Sequence, residues 1–183
     1  MRYLVFAIVV LAGCGGRADV TDPVSRADQA TALSDYWSGQ NMSDPAQLPR
    51  GGSVKFVGLT TLGLPIGDTG GSYTGDLALT VRFGSRTNPV SGSIANLGNL
   101  DGDLQIGSGF LDRGADADVD YTFGAEVNGT LTSGDAAYVV DGDMLGDLRG
   151  RTQDGVTGII YGDVTGPDGQ ALFQGSFAGD ATD

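Results

Sequence analysis

Carboxylates are the chemistry this chain carries in quantity. Of its 23 acidic residues all but Glu126 are Asp, and it has no His, one Lys (Lys55) and one Cys (Cys14). Asp116, Asp118 and Asp120 recur at every second position, which is how a calcium loop begins. The pattern then breaks. Tyr121 stands where the loop's sharp turn needs Gly, Val127 where a bidentate Glu is needed, and Glu126 falls one place short. Asp118 and Asp120 read better as the outward face of a strand, which leaves only a weak cation loop near Asp112 and Asp116. Asp141, Asp143 and Asp147 alternate similarly and read as a solvated outer stripe. Without His there is no Ser-His-Asp or Cys-His relay and no imidazole ligand. No Ser lies in a Gly-x-Ser-x-Gly elbow or a Ser-x-x-Lys pair. Carboxylate pairs of the glycosidase kind are not singled out among so many Asp. The expectation is therefore no enzyme, no resident metal and no cofactor.

Cys14 is a different matter. Arg2 precedes an apolar run over 3–10 that is too short to span a bilayer, and Leu11-Ala12-Gly13-Cys14 follows. This resembles the lipobox of bacterial lipoproteins; an ordinary signal peptide that happens to contain a cysteine is the other reading. The resemblance implies cleavage before Cys14 and acylation of it, and two or three acyl chains anchor a protein stably where one does not. Gly15 stands where an inner-membrane retention signal would have Asp, so the same resemblance points to the outer membrane. Acylation also uses the sole thiol, leaving none for a disulfide. Residues 1–13 are then a signal peptide and 14–24 an acylated tether, with a short helix and linker over 25–50 and one folded domain over 51–183.

The elements needed to position these residues are mostly strands. A formal charge of −13 argues against nucleic acid and against adsorption to anionic lipid. With 32 Gly and Asp in place of Glu, the composition is that of a turn-rich β protein. Over 25–37, Ala27, Ala30, Leu33 and Trp37 fall at helical spacing. Pro45 and Pro49 then punctuate a linker.

Beyond Gly51 the apolar residues alternate over 53–62, 74–83, 89–96, 102–111, 119–131, 137–148, 156–164 and 171–178. Period two is what a half-buried antiparallel strand requires. The third of these runs is the clearest case of brevity and the fifth of length, with Val119, Tyr121, Phe123, Ala125, Val127 and Leu131 on one face. Asp-Gly pairs at 101, 154 and 168 mark hairpin turns. Eight strands with one apolar face can close into an antiparallel barrel. Inward glycines in phase with Phe56, Phe83, Phe110, Tyr121, Phe123 and Tyr138 make room for rings from across it, so the interior is expected to be filled. Val57, Leu59, Leu145, Ile159 and Tyr161 point outward in this register, and the helix stripe is their natural cover.

Several segments in order resemble the β-barrel domain of transferrin-binding protein B and its relatives, surface lipoproteins that include factor H binding protein. Leu48-Pro49-Arg50-Gly51-Gly52-Ser53-Val54-Lys55-Phe56-Val57-Gly58 is similar to the start of that family's first barrel strand, and Ser72-Tyr73-Thr74-Gly75 to the start of its second. Val81-Arg82-Phe83-Gly84 with Val90-Ser91-Gly92-Ser93-Ile94, and later Gly142 to Gly150 with Val156-Thr157-Gly158, continue the likeness over roughly 47–179. Arg82 replaces the family's usual Asp, and Leu148 an aromatic. The chain has no length for the handle domain that recognises transferrin, so no ligand contact carries over. The resemblance implies an eight-stranded barrel on an outer-membrane lipid anchor with a binding role.

The expectation is a lipid-anchored cell-envelope binding module for a solute or a protein, linked to nutrient or metal-carrier capture, that meets its protein partner or an outer-membrane transporter through loops near 63–72, 113–118 and 150–154. The alternative is an envelope scaffold without exogenous cargo. An apolar patch left exposed after the helix docks would separate them.

Overall fold

A computed structural model describes residues 24–67, 70–116 and 119–182. The leader, Cys14, nearly all of the tether, and Asp118 lie outside the described residues. The helix α1 (Arg26–Ser38) is capped by Ser25, whose hydroxyl accepts the Asp28 N–H at 3.1 Å. A 3-10 turn (Pro45–Gln47) leads into eight strands: β1 (Ser53–Leu64), β2 (Gly71–Arg82), β3 (Val90–Ala95), β4 (Leu104–Leu111), β5 (Phe123–Ser133), β6 (Ala136–Arg149), β7 (Gly155–Gly166) and β8 (Gly169–Thr182). Each pairs antiparallel with the next, and β8 returns to β1, so the barrel closes and no edge is left open.

Alternation sends Phe56, Leu62, Leu77, Val127, Met144 and Ile160 inward, all buried. The interior is filled. The Phe123 and Phe177 rings meet at 6.2 Å. A Cβ at Gly146 would strike both rings, and one at Gly142 would strike Phe173. At Gly58 and Gly92 the reason for glycine differs from the expected one: the space belongs to the backbone of the next strand, at Ala178 and Ala78. Leu48 and Phe83 close one end of the barrel, and Ile66, Leu97 and Leu100 the other, all within one core. The wall is polar outside and apolar inside, the reverse of a membrane-spanning barrel. Among the described residues no helix is long and apolar enough to cross a membrane.

Four sequence expectations are corrected. β5 begins at Phe123, not Val119. Residues 119–122 belong to a turn in which the Val119 and Asp120 N–H groups both donate to the Asp116 carbonyl, leaving Val119 78% exposed and Tyr121 half-buried. Phe110 points outward, because β4 shifts register between Gly107 and Phe110, where Ser108 takes a positive φ of 51°. Asp147 is buried rather than solvated. Finally, the helix stripe is narrower than its spacing suggests: Ala30 and Trp37 are buried, Leu33 is half-buried and Ala27 is exposed.

Candidate docking surface on the barrel wall

The N-terminal segment is tied to the wall as a strap. α1 packs over β7, β8, β1 and β2. Trp37 lies on Gly155 and donates from Nε1 to Asp180 at 2.9 Å, while Arg26 pairs with Asp76. The chain after the helix then runs beside the end of β6, with the Ser43 N–H donating to the Leu148 carbonyl at 2.8 Å and the Gly150 N–H to the Asn41 carbonyl at 3.0 Å.

Asp147 sits under this strap. It accepts the Thr122 N–H at 3.1 Å and faces Arg149 Nη2 at 3.0 Å; Arg149 in turn donates from Nη1 to the Gln40 carbonyl at 3.2 Å. Burial pushes the Asp147 carboxyl above its ordinary value, against the opposing pull of Thr122 and Arg149. Two of the three expected partner loops thus have structural work. Residues 150–154 meet the strap, and Arg113 holds the barrel end shut by donating to the carbonyls of Leu48 (2.7 Å), Phe83 (3.0 Å) and Pro49.

What the strap leaves bare is the outer wall from β5 through β8 to β1 toward the opposite end of these strands from Gly155 and Asp180. Register places the side chains there in rows. One row runs Glu126, Asp143, Tyr161, Gln174 and Gly63. Its neighbour runs Asn128, Asp141, Asp163 and Leu172. On the other side lie Leu145, Ile159, Ser176 and Thr61. Between them is an open groove of ≈ 810 Å³, continuous through Gly63, Tyr161 and Gln174 with a second hollow of ≈ 640 Å³ beside Ile159. Gly63 contributes no side chain, which deepens the floor. Leu172 is 80% exposed on one side of the groove, Tyr161 is exposed in the middle row and Ile159 on the far side.

The electrostatics of this wall are one-sided. Glu126, Asp141, Asp143 and Asp163 line or border the groove, and none of its lining residues is basic. Asp141 lies directly across from Asp163 and Glu126 across from Asp143, an arrangement of like charges that destabilises a sheet. The described parts of the four connections at that end of the barrel, 65–67 and 70, 96–103, 134–135 and 167–168, hold no Lys or Arg. The basic residues Arg50, Lys55, Arg82, Arg113, Arg149 and Arg151 lie toward the opposite end.

Of the residues the sequence singled out, Asp141 and Asp143 belong to the groove, with Ile159 and Tyr161. Asp116 and Asp120 do not; the Asp120 carboxylate accepts the Asp116 N–H at 3.3 Å within its own turn. Among the described residues no three ligating side chains converge where a metal ion could sit. Sequence reasoning missed Glu126, Asp163, Leu172 and Gln174 as members of one surface. Fold and wall together define a closed, filled β-barrel with an anionic, partly apolar groove on its outside. No protein-family model matches the chain, and no curated protein matches it in sequence.

Proposed function

We propose that this protein is a lipid-anchored binding module of the bacterial cell envelope. Acylated Cys14 would hold it to the outer membrane, and its barrel would receive a protein partner on the outer wall. The observation that carries the reading is the wall from β5 to β1, where Tyr161, Ile159 and Leu172 remain exposed beside a groove after the strap has docked. A pure scaffold gains nothing from leaving such a patch in water, whereas interaction sites are commonly marked by one. The likeness of the strand-forming segments to the barrel of transferrin-binding protein B supports the same class of role and supplies no ligand. The interior offers no alternative site, because side chains fill it.

The test is photo-crosslinking in intact cells from a reactive residue placed at Leu172, with Gln105 on the exposed face of β4 as the control position. Adducts at 172 and not at 105 are expected, together with loss of membrane association in Cys14→Ser. Equal labelling at both positions, or none at either, would refute the binding reading.

A further inference from the structure

Resting on that reading, we infer that the wall groove is built for a cationic, partly apolar segment of a partner protein, its Lys or Arg side chains set against Asp141, Asp143 and Asp163 and its apolar side chains against Tyr161, Ile159 and Leu172. Charge complementarity carries the choice. The groove gathers carboxylates with no basic residue in its lining, at an end of the barrel whose loops also lack them. Facing carboxylates on neighbouring strands weaken the sheet, and among the described residues no basic group pairs with Glu126, Asp141, Asp143 or Asp163. A bound cationic segment would. The exposed aromatic and aliphatic groups beside the charges supply the desolvated centre that a charged rim alone lacks.

Other occupants fit worse. A second copy related by a two-fold axis would bring the same carboxylates face to face. An anionic lipid surface would be repelled by them. A strand added at a sheet edge has nowhere to pair, because the barrel is closed.

The experiment uses the full chain in non-ionic detergent micelles and a fluorescent peptide of repeated Lys-Leu, with a Glu-Leu peptide as the negative control. Binding is read by anisotropy for the parent, for D141N/D143N/D163N, for Leu172→Ser, and for D35N/D44N/D112N, which removes the same charge toward the opposite end of the barrel. The Lys-Leu peptide should bind the parent and the Glu-Leu peptide should not. The groove triple variant should weaken binding by about tenfold or more and the remote triple variant by less than about threefold. Leu172→Ser should weaken it as well.

The groove variant should also melt at or above the parent, since it relieves repulsion; a purely structural role for these carboxylates predicts the reverse. Equal weakening by the two triple variants would overturn the inference, because net charge alone would then be the attractant. So would concentration-dependent dimers that Leu172→Asp dissolves. Cellular adducts at position 172 that persist unchanged in D141N/D143N/D163N would discard the cationic class while leaving the binding reading standing. Absence of adducts in the parent would discard both.

Discussion

Gly155→Ala is a one-methyl test of how the strap is held. A Cβ there would lie well inside 3.0 Å of the Trp37 indole, and β7 cannot retreat because Gly155 pairs with Arg149 on one side and Asp180 on the other. The ring must move instead. Trp37 is 6% exposed, so displacing it forfeits part of the ~3–5 kcal/mol that deleting a buried Trp costs. The Nε1 hydrogen bond to Asp180 adds about 1 kcal/mol to the loss. Ala30 is the helix's other buried residue, and a helix of 13 residues is marginal by itself. Strap release is therefore expected rather than readjustment, and the barrel, which closes on itself, should stay folded. Trp37 is the protein's single Trp, so its emission reports the strap alone. The expected result is red-shifted emission and faster tryptic cleavage at Arg26, with the strand signal in circular dichroism unchanged. In cleavage rate, W37A/G155A should match W37A within about 0.5 kcal/mol, because both changes remove one contact. Unshifted emission in Gly155→Ala, or loss of strap and barrel in a single transition, would refute the reasoning.

Three further outcomes follow from buried groups. Asp147 has its folded-state pKa raised above the ordinary 3.8, chiefly by burial, so its charge costs stability above the folded value and the cost lifts as pH falls through it toward 3.8. Urea midpoints of the parent relative to Asp147→Asn should then rise on acidification through that window; a relative fall would mean that Arg149 and Thr122 outweigh burial. Thr60 is fully buried with an unpartnered hydroxyl, so Thr60→Val should stabilise the barrel by about 1 kcal/mol in denaturant unfolding, and a comparable loss would show that the hydroxyl is satisfied. Gly58→Ala would drive a methyl into the Ala178 carbonyl and Gly179 Cα across the closing seam and should cost about 4 kcal/mol or more, whereas Gly51→Ala, with open space around it, should stay within about 0.5 kcal/mol; comparable melting temperatures would refute the packing argument.

The barrel was legible in the sequence because period-two alternation is a local signal repeated along the chain, and because Asp-Gly pairs separate its runs. Errors arose where a single residue or turn overrode the local pattern. Ser108 introduces an irregularity that reverses the facing of Phe110, and nothing in the alternation of 102–111 reveals it. The turn that ties Val119 and Asp120 to the Asp116 carbonyl takes Val119 out of a run that looks unbroken. Asp147 departs for another reason: its outward companions Asp141 and Asp143 are exposed, whereas Asp147 is buried against Thr122 and the Arg149 guanidinium, contacts that alternation does not specify. The candidate surface was half legible. Asp141 and Asp143 stand out in the sequence, but their companions Asp163 and Leu172 become neighbours only through strand register, which local patterning does not specify.

A filled barrel changes where function has to be sought. Eight-stranded barrels that hold a ligand keep a cavity in the middle, and here Phe123, Phe177 and their glycine partners occupy that space while apolar loop residues stop both ends. On the proposed binding role, recognition falls to the exterior. On that exterior the strap fixes the N-terminal segment across β7, β8, β1 and β2, and Arg113 and the 150–154 loop are engaged in holding one end together. Among the described residues the groove carboxylates Glu126, Asp141, Asp143 and Asp163 have no such internal partner. They stand opposite one another at a cost to the sheet, beside large apolar side chains held in water. Two unfavourable features that share one groove are more economically explained by a single external partner than by separate defects, and that is why the wall, and not the loops, is where a partner should be sought.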